Sequence, residues 1–133
     1  DELGFVLAES TYSSWEDAIT PRAVKQFGSW VKAFTPMAFK FVEWRGGMNM
    51  DDAAPQLVAK NIKVPTLLVH SSADTLTTPD HSVRVAEHLD PTIGKAIFLD
   101  WDAWHAHNAL ARPMEYKQML LDHFRPLGVS LCE

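Results

Sequence analysis

Apolar residues come in two rhythms along this chain, short unbroken runs and runs that recur every three or four positions, and the two alternate. The first short run, over residues 4–9, ends in the turn-forming group 10–14 and predicts a buried strand followed by a loop. Trp15 begins a helical stretch, with Ser13 or Ser14 as its cap and Glu16 and Asp17 where the helix dipole favours negative charge. Pro21 is predicted to interrupt or restart it. From there to Trp44 the pattern is helical and aromatic: Val24, Phe27, Val31 and Phe34 recur at helical spacing, and Phe39, Phe41 and Trp44 follow beyond Pro36. Two helices with a break near Thr35-Pro36 are expected. Residues 45–52 loosen into a loop, and residues 53–60 suit a short helix.

The run over 62–70 is the strongest strand signal, uninterrupted and rich in Val and Leu, as in a parallel sheet covered on both faces. Thr78-Pro79-Asp80 then predicts a helix start, threonine as cap and proline in the first turn, with Val83, Ala86 and Leu89 on its apolar face. Residues 96–99 form the next strand. Pro113 opens a last helix in which Tyr116, Met119, Leu120 and Phe124 face inward, before 126–128 ends it. The order β, α, α, β, α, β, α implies right-handed crossovers and a mainly parallel sheet of about three strands flanked by helices. Residues 1–133 read as one α/β domain. The helical region 15–60 exceeds what a simple crossover needs, so part of it is expected to stand away from the sheet as a cap.

Length and composition agree: 133 residues, 47% hydrophobic and 22% charged, can bury a core. A net charge of -5 provides no basic field for phosphates, which disfavours nucleic acid and anionic membranes as partners. No apolar stretch approaches the roughly 20 residues that a bilayer span requires. The chain starts at Asp1 and enters its first apolar run almost at once, so no signal peptide is visible; the start was processed or cloned away, or the chain is a piece of something longer. Its one cysteine, Cys132, precludes an internal disulfide and fits a reducing, cytoplasmic setting.

Two residues carry the candidate chemistry. Asp74 follows the second predicted strand and His105 the third, the order in which a serine hydrolase places its acid and its base on neighbouring strand ends. No Gly-x-Ser-x-Gly nucleophile elbow occurs in the chain. Ser29 follows Gly28 but belongs to a helical stretch, and Ser71 and Ser72 are too near Asp74, so no serine here suits the nucleophile role. His105 and His107, with Asp100 and Asp102, have the chemistry of metal ligands, but the loop explains both histidines without a metal. His70, His81, His88 and His123 read as surface or half-buried residues. The aromatic group Phe27, Trp30, Phe34, Phe39, Phe41 and Trp44 reads as core in preference to substrate pocket.

These pieces, in this order, resemble the C-terminal half of an α/β-hydrolase. Residues 5–18 (FVLAESTYSSWEDA) look like the strand and loop that follow the nucleophile helix, and residues 62–74 (IKVPTLLVHSSAD) are similar to that family's strand and acid loop, with Asp74 at the acid. Thr78-Pro79 and Ser82 match the next helix entry, and Trp104-His105-Ala106-His107-Asn108 with Pro113 and Phe124 looks like the histidine loop and last helix. The resemblance passes the base to His105, 31 positions beyond Asp74. It also shows departures: Ser71 and Trp104 stand where the family usually has glycine, which implies unusually shaped loops.

The resemblance implies a three-layer α/β sandwich and an ester, thioester or peptide-like acyl substrate, with no cofactor and no metal. It places the strands that would hold the nucleophile and oxyanion hole before this chain. Removing half of a parallel sheet bares apolar surface and an unpaired strand edge, so a homo-oligomer, or pairing with the N-terminal half, is expected. The competing reading is a non-catalytic association module derived from a hydrolase.

Overall fold

The computed structural model describes residues 4–131, so Cys132 lies outside the described residues. Three parallel strands, β1 (Val6–Glu9), β2 (Thr66–Ser71) and β3 (Gly94–Leu99), form a sheet in the order β1-β2-β3. Val6 pairs with Thr66 and Glu9 with Val69, while Thr66 pairs with Gly94 and Ser71 with Leu99. Every residue of β2 is buried, whereas in β3 Gly94, Ala96 and Ile97 are half-buried, Lys95 and Phe98 are exposed and Leu99 alone is buried. The unbroken Val/Leu run thus becomes the central strand, covered on both faces.

Helices fill both sides of the sheet, giving three layers. On one face Leu67, Val69 and Leu99 pack with Tyr116 and Phe124 of α6 (Pro113–Phe124), joined by Phe5, Met119 and Leu120. On the other, Leu68 packs with Val85 and Leu89, from α4 (Asp80–Ala86) and the turn after it, and with Ala59. The remaining helices are α1 (Trp15–Phe27), α2 (Thr35–Gly46), the single-turn α3 (Pro55–Val58) and α5 (Asn108–Ala111).

Several boundaries depart from expectation. α1 runs through Pro21, which removes one internal hydrogen bond without ending the helix. The break falls at Gly28 (φ 95°), followed by a 3-10 turn over Ser29–Ala33, and Thr35-Pro36 instead opens α2 with proline in its first turn. Thr78 does not cap α4 through its side chain; Pro79 occupies the cap position. Val83 is exposed, and Val85 with Leu89 supplies the apolar contact.

The aromatic group is not core. Trp30 is 64% and Trp44 76% exposed, and Phe27, Phe34 and Phe41 are exposed as well. The pairs Trp30–Phe34 and Phe41–Trp44 pack ring to ring at 5.7 Å, so these side chains cluster on the surface of α1, the 3-10 turn and α2. No helix of the described residues is long and apolar enough to cross a membrane.

Candidate active site

Parallel strands bring all three C-terminal ends to one end of the sheet, and the loops leaving β2 and β3 deliver Asp74 and His105 there. The tight turn after Ser71 is built by its own polar groups: the Ser71 carbonyl accepts from the Asp74 amide at 3.1 Å, and the Ser71 hydroxyl accepts from the Ala73 amide at 3.2 Å. The loop thus closes with serine at the position where glycine is usual, and Asp74 is left 2% exposed.

Both carboxylate oxygens of Asp74 are occupied. Oδ1 accepts from the amides of Leu76 (2.8 Å) and Thr77 (3.1 Å). Oδ2 lies 2.8 Å from His105 Nδ1 and accepts from the Thr77 hydroxyl at 3.2 Å. Burial alone would raise this carboxyl, but the hydrogen bonds from His105, the Leu76 and Thr77 amides and Ser10 outweigh it and hold Asp74 below the ordinary carboxylate value. An ionised Asp74 fixes the proton of His105 on Nδ1, leaving Nε2 as the basic nitrogen. His105 is 30% exposed at its side chain, and Asp74 and Thr77 are its hydrogen-bond partners among the described residues.

The structure therefore brings the two sequence-predicted residues into direct contact. His107 is not drawn in: it stacks on Trp104 at 6.2 Å, and Trp104 points outward, 68% exposed. Among the described residues no group of three or more His, Cys, Asp or Glu side chains converges on a point where a metal ion would sit.

Two histidines expected at the surface or half-buried are buried, one of them against Asp74. His70 is fully buried: its Nε2 lies 2.8 Å from the Thr77 carbonyl and 3.4 Å from Asp74 Oδ2, and its Nδ1 2.6 Å from Ser82 Oγ. Because a carbonyl only accepts, Nε2 carries the proton and Nδ1 accepts from Ser82. Sequence reasoning also missed Ser10 and Thr77. The Thr77 hydroxyl reaches the Ser10 carbonyl at 3.1 Å as well as Asp74 and His105, tying the acid loop to the end of β1. The available signal was a polar residue inside each run of turn-formers, which marks a turn and not a partner.

A second serine-histidine contact has a different character. Ser13 Oγ lies 2.8 Å from His81 Nδ1 and 3.0 Å from Asp17 Oδ2, but Ser13 is fully buried and His81 Nδ1 also faces the Ser13 amide and Arg84. No acyl carbon reaches such a hydroxyl, so this cluster joins α1 to α4 and is no nucleophile. Burial, reinforced by the Arg84 guanidinium, lowers His81 below the ordinary imidazole value despite Asp80 and Asp17. A histidine lowered in the folded state stabilises fully above 6.5, its unfolded value, and this stability is lost as pH falls through the folded value. Urea midpoints are accordingly expected to be lower at pH 5 than at pH 7.5. His81→Gln should reduce that difference, and an equal difference in the variant would remove His81 as its source.

No family model and no curated protein matches the chain. Solved structures do. A Pyrococcus horikoshii acylaminoacyl peptidase superposes with a TM-score of 0.63 at 20% identity, covering 94% of this chain and 20% of that one. An α/β-hydrolase enzyme from a Medee basin deep-sea metagenome library superposes with a TM-score of 0.52 at 16% identity, over 98% and 58% of the two chains. A hydrolase from Pseudomonas aeruginosa gives 0.55 at 17% identity, over 91% and 55%. The chain thus spans a fifth of the peptidase and under three fifths of the two hydrolases. The chain has the fold of an α/β-hydrolase.

Proposed function

We propose that this chain supplies the acid and base of an acyl-hydrolase site, with Asp74 as acid, His105 as base, and a serine nucleophile contributed from outside these 133 residues. The 2.8 Å contact between His105 Nδ1 and a buried Asp74 carboxylate carries the reading. Nε2 of His105 takes the hydroxyl proton as the serine oxygen attacks the acyl carbon, and returns it to the leaving alcohol, thiol or amine as the acyl-serine forms. Water then repeats the cycle and frees the acid. Part of the helical region 15–60, whose aromatic side chains stand exposed, serves as a cap.

A fluorophosphonate probe tests the assignment. No serine of the isolated chain should be labelled. In the assembly that contains the nucleophile, the labelled serine should lie outside these residues and labelling should vanish in His105→Ala. A label on a serine of this chain would overturn the proposal.

A second reading, a non-catalytic association module, draws support from the exposed aromatic side chains of α1 and α2 and from β1, which pairs on one side only among the described residues. Sedimentation at micromolar concentration is then expected to show species larger than the monomer, shifted towards monomer by Trp30→Lys with Phe41→Lys. A stable monomer of the unaltered chain would remove the basis for this reading.

A further inference from the structure

Glu9 and Ser10, the last residue of β1 and the one after it, lie far from His105 in sequence yet grip the loop on its far side. The loop from 100 to 107 has few internal supports and turns through two positive-φ residues, Asp102 (51°) and Ala106 (54°). Conformations of that kind persist in non-glycine residues only where surrounding contacts hold them.

For Ala106 and the residues after it, those contacts come from Ser10 and Glu9. The Ser10 hydroxyl accepts from the Ala106 amide at 3.1 Å. One oxygen of Glu9, Oε1, accepts from both the Asn108 amide (2.8 Å) and Asn108 Nδ2 (2.9 Å). The other, Oε2, accepts from the Tyr116 hydroxyl at 2.9 Å. Asn108 is fully buried, and its Oδ1 has no hydrogen-bond partner among the described residues, so the bonds to Glu9 are what compensate its burial. Burial, together with the hydrogen bond to Glu9, raises the Tyr116 phenol well above its ordinary value, which keeps it a donor at any working pH. The residues held, Ala106 and Asn108, are the first and third after His105.

We propose that Glu9 is a positioning residue for the base: its carboxylate anchors Asn108 and Tyr116, and with Ser10 it fixes the backbone on which His105 faces Asp74. This rests on the assignment of Asp74 and His105 as an acid-base pair. With two oxygens at a strand end, the Glu9 carboxylate takes all three donors at once. Glu9 touches no reacting atom and acts through the loop alone.

The test reads loop order in the isolated chain by NMR and not turnover, so its failure is distinguishable from failure of the hydrolase assignment. In Glu9→Ala the hydrogen-bonded Nδ1 proton resonance of His105 should be lost, and amide exchange at Ala106 and Asn108 should accelerate about tenfold or more. The Asp74 carboxyl, titrated by its carbon shift, should move up towards the ordinary value because it loses the His105 bond. Glu9→Gln, which keeps an acceptor for Asn108 and a partner for Tyr116, should retain the resonance. If Glu9→Ala folds, by circular dichroism, with the resonance and the Asp74 titration unchanged, the proposal fails. If Glu9→Ala does not fold, Tyr116→Phe removes the Oε2 bond alone. It should then speed exchange at Asn108 severalfold, and unchanged exchange there overturns the proposal equally.

Discussion

Replacing Asp74 by asparagine is expected to lower turnover of the proposed assembly with a nucleophile by about 10⁴ while leaving the fold in place, the scale set by removing the acid's charge in a serine-histidine-aspartate site. Leu76 and Thr77 present two amides that only donate, so the asparagine carbonyl oxygen must take the place of Oδ1. Its NH2 then faces His105 Nδ1 where Oδ2 stood. Two donors cannot share that contact, so the imidazole moves its proton to Nε2 and can no longer accept one from a serine. Turnover in the variant within tenfold of the unaltered assembly would sink the assignment of Asp74. Low pH gives a second signature. A carboxyl held below 3.8 stabilises the fold at every pH above that value and loses its contribution as pH falls through the depressed folded value. Acid titration of stability should therefore be flatter in Asp74→Asn than in the unaltered chain.

Phe124→Ala is expected to cost about 3–5 kcal/mol, the range for deleting a buried aromatic side chain. Phe124 is fully buried, 4.8 Å from the Phe5 ring, in the cluster that joins α6 to Leu67 and Val69. Domains are stable by about 5–15 kcal/mol in total, so this one cavity removes a large fraction and should abolish or greatly weaken the cooperative urea transition. Trp44→Ala, at a side chain 76% exposed, should change stability by no more than about 0.5 kcal/mol. Similar losses for both would mean that α6 is not where the core lies.

The contrast between these two aromatics marks where sequence reading succeeded and where it stopped. Phe124 follows Tyr116 and Leu120 at helical spacing in a helix that begins at a proline, and the helix, its start and its inward face were legible, while its end gives way to a 3-10 turn over Arg125–Leu127. Trp44 also stands at helical spacing from Phe41, but periodicity says only that a helix has an apolar face, not what that face meets. Likewise the Val/Leu run made β2 legible, and the resemblance pointed to Asp74 and His105 because each follows a strand end. The supports of those two residues were not legible. Thr77 and His70 lie against Asp74, while Glu9 and Ser10 hold the loop after His105 from across the sheet, and a polar residue at a turn carries no sign of a partner almost a hundred positions away, as Asn108 is from Glu9. The buried His70 misled for the same reason: its polar atoms are satisfied by Ser82 and the Thr77 carbonyl, which only the fold brings near.

The unequal burial of the strands also sets an order of loosening. Asp74 is carried by the central strand, whose every residue is buried, whereas His105 is carried by β3, half open to solvent and paired on one side among the described residues. Local opening costs least where few buried contacts are lost, so His105 should come free of Asp74 in fluctuations that leave Asp74 seated. The pair would then behave as a fixed anvil and a movable hammer: whatever covers the open side of β3 would tune how often the two meet without touching either residue.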